Sequence, residues 1–371
     1  MRTVRRLLYR DILNSVVFVA LAFLSLFFFI DLVDELGDIG RPGYGMVQAV
    51  LAGLLELPGH FYELFPIAVL IGSIYTLSRL AESSEFTILR TAGLAPGQAL
   101  RLLAALGLVF AALTFAVGDG LAPLTERQAV QVKNAGRGVQ VGGSGAWLRD
   151  RQATPEGERS YSVNVLRASA DGALEQVRIY EFDDQGRLLS RLQAERARIV
   201  GAVWQLAEVR RSTWPAEAAA RDDGRPAAGE ERLDRLDWAS GLDAGVVASA
   251  VLPLSTMSTL DLWRYTGHLS DQEQAVQPYA IRFWKKALYP FACVVMLALA
   301  LPFAYLHARG GGISWRVFGG ILLGISFVLL NNVAGHLGLL NRWTPWVVAA
   351  TPSALYLLLS LAAFAWLVRY R

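Results

Sequence analysis

The sequence predicts an α-helical membrane protein that crosses the bilayer six times, with an all-β domain of the jelly-roll type inserted between the third and fourth spans. Three observations predict this fold. Hydrophobic residues make up 54% of the 371-residue chain, which is too apolar for one soluble domain. Long stretches lack charged side chains, and most of the polar sequence is collected in one central segment that has strand-like alternation.

The predicted spans follow from length and composition. A hydrocarbon core of about 30 Å needs about 20 consecutive apolar residues in a helix. Five windows without Asp, Glu, Lys or Arg come close to this length or exceed it: 12–30, 102–118, 287–308, 317–341 and 343–368. A sixth window, 65–80, is apolar except for Arg79 and reaches the required length only if it includes Glu63 at its entry. We therefore predict three spans before the polar segment and three after it.

The loop charges predict the orientation of these spans. Cytoplasmic loops of membrane proteins carry an excess of Lys and Arg. With the N-terminus inside, eleven arginines fall on the cytoplasmic side: Arg2, Arg5, Arg6, Arg10, Arg79, Arg90, Arg101, Arg309, Arg316, Arg369 and Arg371. The short outer loops hold only Arg41 and Arg342. Both termini are therefore expected in the cytoplasm, and the large central segment outside.

The predicted domains are 1–118 with three spans, 119–281 as the outer β domain, and 282–371 with three further spans. In the β domain, "YSVNVLRA" and "EQVRIYEF" alternate as strands do. Gly186 in "FDDQGRL" and Gly201 in "RIVGAVWQLAEV" suit hairpin turns because glycine accepts positive φ. Strands joined in this way predict a sandwich or jelly roll. Residues 215–232, rich in Pro, Ala and charges, are predicted to form a loop.

The sequence gives no sign of catalysis. Its four histidines are spread over different loops and spans, no Cys or His pair has metal-ligand spacing, and the single cysteine lies in the fourth span. No Gly-Lys dipeptide is present, so the chain has no phosphate-binding P-loop. We expect no catalytic residue, no metal, no cofactor and no nucleic-acid partner, so any energy for transport must come from another protein.

A short charged segment between the second and third spans, "AESSEFTILRTAGLAPGQALR", is where that energy could enter. Ser83 or Ser84 is predicted to cap a helix over about 83–92, Gly93 to end it, and Pro96 to begin the third span. Phe86 and Leu89 are predicted to share an apolar face that is exposed to the cytoplasm. A helix this short is not stable alone, so its face is expected either to lie along lipid headgroups or to bind a partner protein.

The segments that decide between these alternatives are "RRLLYRDIL", "LFPIAVLIGSIYTLSRLAESSEFTILRTAGL", "GDGLAPLTERQA" and "FWKKALYPFACVVMLALALPF". Along its whole length the chain resembles the LptF/LptG permease family of the lipopolysaccharide export ABC transporter, and is more similar to its LptG branch than to its LptF branch. The resemblance implies a non-catalytic inner-membrane subunit of a Gram-negative bacterium that extracts lipopolysaccharide and passes it to a periplasmic bridge, for outer-membrane biogenesis.

The resemblance also implies partners and sites. The expected partners are an LptF-type permease, an LptB-type ATPase dimer that binds ATP, LptC, lipopolysaccharide and membrane lipid. The segment over 83–92 corresponds to the coupling helix that contacts the ATPase, with Glu85, Phe86 and Leu89 as its candidate contact residues. In this family, spans one, two and five of each permease wall a cavity for the substrate. Candidate residues for substrate contact are cations near the outer side and aromatic residues of these spans: Lys133, Arg137, Arg282, Lys285, Lys286, Phe27, Phe65 and Phe327. The family pattern implies a basic residue late in the first span, where this chain has Asp31, so its phosphate site does not carry over directly.

Two alternatives stay open at this stage. An ion-coupled lipid transporter would need buried ionisable groups in its spans, but beyond Glu273 the chain has no Asp or Glu, and Glu63 lies near an interface. A membrane-anchored periplasmic scaffold would not need six spans or a capped cytoplasmic helix. Copurification with a P-loop ATPase separates the exporter from both alternatives.

Overall fold

The chain forms a helical unit and a sheet unit in a computed structural model. The helical unit comprises Met1–Ile39, Ala49–Glu126 and Ala280–Arg371, and the sheet unit comprises Gly40–Gln48 and Arg127–Tyr279. The residues that the structure describes are 2–40, 43–133, 139–140, 145–154, 157–168, 173–201, 203–214, 229–242, 247, 257–271, 276–305 and 312–370.

The helices, in chain order, are α1 (Arg2–Leu36), α2 (Met46–Glu82), α3 (Glu85–Thr91), α4 (Pro96–Phe115), α5 (Ala122–Lys133), α6 (Thr259–Asp271), α7 (Gln277–Leu288), α8 (Ala292–Ala304), α9 (Ile313–Leu340) and α10 (Pro345–Tyr370). A π-helical turn, Ala116–Leu121, joins α4 to α5, and a 3₁₀ turn, Tyr289–Phe291, joins α7 to α8. In the described part of the chain, six helical stretches are long and apolar enough to cross a membrane, which agrees with the predicted number. The uncertain sixth window is part of α2, which begins well before it.

Close contact between α1 and α2 depends on a small residue. A side chain at Gly72 would place its Cβ 2.7 Å from the backbone nitrogen of Val16, so only glycine allows the two helices to come this near. Beside it, the buried hydroxyl of Thr76 donates to the hydroxyl of Ser15 at 2.8 Å. Small residues and interhelical hydrogen bonds are the usual means of helix association in a membrane, where apolar burial gives little driving force.

The same principle operates at α9. Gly320 and Gly324, one turn apart, face the side chains of Ile74 and Ile67 on α2, and a Cβ at either glycine would lie within 2.8 Å of the isoleucine. Gly107 of α4 likewise lies against the backbone of Val294 in α8. These contacts surround a continuous apolar core built from α1, α2, α4 and α8, with a few residues from α3, α9 and α10.

The sheet unit contains seven antiparallel strands in the described part of the chain: β1 (Val139–Gln140), β2 (Ala146–Thr154), β3 (Gly157–Ala168), β4 (Leu174–Phe182), β5 (Leu188–Val200), β6 (Val203–Thr213) and β7 (Gly229–Ala239). From β3 to β7 each strand pairs with the next, while β1 and β2 both pair with β3. Gly186 and Gly201 have φ of 76° and 65° in the β4–β5 and β5–β6 turns, which confirms both predicted hairpins.

The sheet curls until strands from its two ends meet. The buried carboxylate of Asp150 in β2 accepts hydrogen bonds from the Ser240 hydroxyl at 2.8 Å and from the Gly241 N–H at 3.0 Å, just beyond β7. The ring of Tyr161 in β3 contacts that of Trp238 in β7, with centroids 5.5 Å apart. Since β3 and β7 are not neighbours in the sheet, these contacts require strong curvature. The curled sheet encloses its own apolar core, and its assignment as a jelly roll stays a prediction.

Two predicted boundaries differ from the structure. The loop predicted over 215–232 ends sooner, because β7 begins at Gly229; residues 215–228 lie outside the described part of the chain. The third predicted span ends at 118, but the helix continues through the π-helical turn into α5 and reaches Lys133. The extra residues are polar on one side, so a window chosen for the absence of charge stops too early.

Candidate functional site

The short helix α3 begins at Glu85 and ends at Thr91. Ser84 is the N-cap residue, which confirms one of the two predicted positions, but it has φ of 60° and its side chain makes no capping hydrogen bond. The C-terminal end follows the prediction. Gly93, with φ of 101°, donates its N–H to the carbonyl of Arg90, and the N–H of Leu94 donates to the carbonyl of Leu89. This pair of bonds is a Schellman motif, and it fixes the turn into α4.

An aromatic contact anchors α3 to the core of the helical unit. Phe86 is 2% exposed, and its ring packs edge-on against Tyr305 with centroids 5.2 Å apart. The guanidinium of Arg90 lies over the same tyrosine ring at 5.2 Å, and Tyr305 contacts Phe364 of α10 on another side. The helix therefore has a fixed attachment at the end of α8.

The exposed side of α3 differs from the predicted one. Phe86 and Leu89 do share a face, but that face turns inward: Phe86 is buried and Leu89 packs against the core. The prediction that both side chains are exposed is wrong, because an apolar spacing of three identifies a face without showing which way it points. Glu85 is exposed, and Ile88 is 63% exposed. Glu85 and Ile88 are thus among the side chains that α3 presents, together with Thr87 and Thr91.

The basic residues of α7 divide into two groups. The ammonium of Lys285 donates to the backbone carbonyl of Asn331 in α9 at 2.6 Å, and it lies against Gly335. This side chain is committed to packing between two helices, which argues against a substrate contact. Arg282 is exposed, and Lys286 is half-buried one turn further along the same face.

Acidic residues accompany Arg282 and Lys286. Both cations interact electrostatically with the carboxylate of Glu126 in α5, and the carboxylates of Glu56 and Glu63 act on the same group. We name Glu56, Glu63, Glu126, Arg282 and Lys286 the outer charge cluster. The sequence predicts the cations of this cluster but not their acidic neighbours, because Glu126 is far from them in sequence and has no local signal.

Tyr62 supports this cluster from α2. Its hydroxyl donates to the carbonyl of Lys286 at 3.2 Å, and its ring fills the space beside Gly118 where a side chain would clash. Gly118 belongs to the π-helical turn between α4 and α5, and such turns are frequent at functional positions. The remaining predicted cations are placed elsewhere: Lys133 ends α5 in the sheet unit, and Arg137 lies outside the described residues.

The three predicted aromatic contacts have different environments. Phe65 is 4% exposed and packs edge-on against Phe110 at 5.5 Å; Phe327 is 1% exposed and packs likewise against Tyr356 at 5.3 Å. Both rings are enclosed by this chain's own helices, which argues against a role as a cavity wall. Phe27 is only partly buried. Of the three, it alone keeps an accessible ring.

A His–Asp pair lies beside Phe27. The Nε2 of His60 in α2 is 2.8 Å from Oδ2 of Asp31 in α1, and the Phe27 ring packs against the imidazole at 5.0 Å. The pair joins two spans that the predictions treated separately. No sequence signal could have found it, because the two residues have no recognisable spacing and histidines occur singly. Among the described residues, no group of three or more potential ligands is arranged to hold a metal ion.

Comparisons with known proteins agree with this architecture. The model of the family described as lipopolysaccharide export system permease LptF/LptG matches residues 6–368. The chain is 26% identical over 364 residues to the lipopolysaccharide export system permease protein LptG of Escherichia coli K12, covering 96% of each chain. It is 25% identical over 362 residues to the protein of the same name from Haemophilus influenzae, again covering 96% of each.

Proposed function

We propose, on the premise that this chain belongs to the lipopolysaccharide export system permease LptF/LptG family, that it is the transmembrane subunit of an ABC transporter for lipopolysaccharide. In this function the chain extracts lipopolysaccharide from the inner membrane and passes it to a periplasmic bridge. It performs no chemistry itself and needs no cofactor. A partner ATPase of the LptB type binds and hydrolyses ATP, and an LptF-type permease completes the membrane part.

The observation that supports coupling to ATP hydrolysis is the way in which α3 is attached to the helical unit. Phe86 and Arg90 attach this helix to Tyr305, while Glu85 and the apolar side chain of Ile88 are left exposed. A short helix that is attached to the spans on one side and exposed on the other can transmit a conformational change of a bound partner to those spans. We assign the ATPase contact to Glu85 and Ile88, with Phe86 and Leu89 as its inner support.

The substrate path involves the outer side of the helical unit. Arg282 and Lys286 are the cations we assign to the phosphates of lipid A, and Phe27 is the ring we assign to the acyl chains. The carboxylates of Glu56, Glu63 and Glu126 act at the same place and weaken the attraction of the two cations for phosphate, which favours its release. The sheet unit, as a periplasmic jelly roll, then receives the lipid and passes it towards LptC.

The proposed topology places both termini in the cytoplasm and the sheet unit in the periplasm, with three spans on each side of it. The excess of arginine in the expected cytoplasmic segments supports this orientation. The Asp31–His60 pair is the feature that most favours the alternative of an ion-coupled transporter, because paired ionisable groups in a span can form a proton relay.

Purification of the tagged chain from its native membrane tests the proposal. The exporter requires a stoichiometric P-loop ATPase in the purified complex and stimulation of its hydrolysis by lipopolysaccharide. An isolated chain whose lipid transport follows a proton gradient, and is abolished by Asp31→Asn, would support the ion-coupled alternative instead.

A further inference from the structure

A cavity of about 370 Å³ lies beside the C-terminal end of α3 in the helical unit. It is lined by Val4, Arg5, Leu89, Ala92, Leu94, Gln98, Arg101 and Leu102. Its volume is within the range of small-ligand sites, about 300 to 1,000 Å³. Apart from Leu89, none of its lining residues has a role in the proposed contacts with the ATPase or lipopolysaccharide.

Three elements build the walls of this cavity. The Schellman turn at the end of α3 contributes Leu89 and Leu94, which its two backbone hydrogen bonds hold in place. Ala92 belongs to the same turn, and the other lining residues lie in the first two turns of α1 and α4. A hydrogen bond from the Tyr9 hydroxyl to the carbonyl of Leu102, at 2.8 Å, fixes α1 against α4 beside the cavity.

The described lining of the cavity is electropositive. Arg5 and Arg101 are both exposed, and neither forms a hydrogen bond or ion pair with any described residue. No carboxylate is among the described residues that line the cavity. Both arginines also lie near helix N-termini, where the helix dipole favours an anion.

The combination of apolar walls and two free cations indicates an amphiphile with an anionic head. The walls given by Val4, Leu89, Leu94 and Leu102 suit methylene groups, whereas a soluble anion would use only the arginines. The position at the start of two membrane spans is the depth at which arginines meet lipid phosphates. We propose that this cavity binds one anionic phospholipid of the cytoplasmic leaflet, with its phosphate at Arg5 and Arg101.

A lipid bound in this cavity would contact the turn that ends α3. Phe86 and Arg90 attach the same helix to Tyr305, so the lipid would add a second contact that restricts its movement. This consequence for coupling rests on the proposed function, whereas lipid binding itself does not. If a lipid occupies the cavity, the coupling of ATP hydrolysis to the spans through α3 would depend on the anionic lipid content of the membrane.

Native mass spectrometry of the purified full chain, titrated with phosphatidylglycerol or phosphatidylcholine, tests the site. Arg5→Gln and Arg101→Gln are each expected to weaken phosphatidylglycerol binding about fivefold, as one surface cation typically does, and to leave phosphatidylcholine binding unchanged. Ala92→Trp should fill the cavity and abolish the preference for phosphatidylglycerol. Arg6→Gln is the matched control: it removes an exposed arginine of the same turn that does not line the cavity, and binding should be unchanged.

Four results would overturn the proposal. An equal loss from Arg6→Gln would mean a diffuse surface attraction, and no loss from Arg5→Gln or Arg101→Gln in a chain with wild-type thermal stability would mean that no such site exists. Displacement of the lipid by excess inorganic phosphate would identify a simple anion site, and displacement by the partner ATPase would identify a protein interface. None of these results bears on whether the chain exports lipopolysaccharide.

Discussion

The ring of Phe86 packs edge-on against the ring of Tyr305, with their centroids 5.2 Å apart. This contact joins a helix of seven residues, too short to be stable alone, to the last turn of α8. Arg90 adds a cation–π contact to the same tyrosine. The orientation of α3, and therefore the side chains that it presents to a partner, depends on one aromatic support.

Phe86→Ala should detach α3 from this support. Loss of a buried phenylalanine costs about 3 to 5 kcal/mol, which is more than a two-turn helix can restore from its own hydrogen bonds. Hydrogen–deuterium exchange of the amides in 85–91 should rise strongly, and capture of the ATPase should fall. Thr87→Ala, an exposed position on the same helix, is the control and should leave both unchanged. Unchanged exchange in Phe86→Ala would show that α3 has another anchor.

Glu85→Lys and Ile88→Asp should have the opposite profile. Both side chains are exposed, so exchange in 85–91 and the thermal stability of the chain should stay at wild-type values. ATPase capture should nevertheless fall, because a reversed charge repels where it previously paired and an aspartate cannot replace an apolar contact. Unchanged assembly together with unchanged lipid release would remove both residues from the interface.

Arg282→Gln and Lys286→Gln should each weaken lipopolysaccharide binding by about 1 to 3 kcal/mol, the range for a charge-assisted hydrogen bond. Lys285→Gln should instead destabilise the packing of α7 on α9, because its ammonium is bonded to the carbonyl of Asn331. A photocrosslinker at each position distinguishes these roles. Selective labelling of lipopolysaccharide from 282 and 286 is expected; equal labelling of bulk phospholipid, which snorkelling side chains would give, would contradict the assignment.

The sheet unit should lose stability in acid through Glu181. Burial of this side chain tends to raise its pKa, but hydrogen bonds from Ser190 and Arg159, the Arg159 charge and a hydrogen bond from Tyr161 together hold the pKa below its ordinary value. A carboxylate whose pKa is lowered on folding stabilises the fold above its unfolded pKa, and this contribution is lost as the pH falls through the lowered value.

Glu181→Gln is the corresponding test. At neutral pH the variant should unfold at a lower temperature than the wild type, and the difference should narrow as the pH falls below 4.5, the ordinary carboxyl value. Fluorescence of Trp204 and Trp238, which contact each other in the sheet unit, gives the unfolding signal. A difference that stays constant from pH 7 to the acid range would mean that the charge of Glu181 contributes nothing.

The sequence predicted features that depend on local chemistry. The number of spans follows from apolar length, and the turns at Gly93, Gly186 and Gly201 follow from the freedom of glycine to take positive φ. The orientation of a helix face within the fold was not predicted. The spacing of Phe86 and Leu89 identified their common face but gave it the wrong orientation, since burial is set by Tyr305, more than 200 residues away.

For the candidate site, the sequence predicted some of the residues but not the contacts that they make. Arg282 and Lys286 were identified as a pair on one face, whereas the sequence could not show that Lys285 turns towards α9. The Asp31–His60 pair and the contribution of Glu126 were missed because each joins residues from different helices. Phe65 and Phe327 were chosen as apolar residues near a cavity, and a single sequence does not distinguish a ring in the core from a ring that lines a cavity.

The central claim is that this chain couples ATP hydrolysis by a partner to the export of lipopolysaccharide, and lipid release from proteoliposomes tests it most directly. The vesicles contain the chain, its permease partner and the ATPase, with a soluble periplasmic acceptor outside. We predict release of lipopolysaccharide that requires ATP, is lost in Glu85→Lys, and does not respond to a proton gradient. Release that is independent of ATP, or equal in Glu85→Lys and the wild type, would contradict the claim.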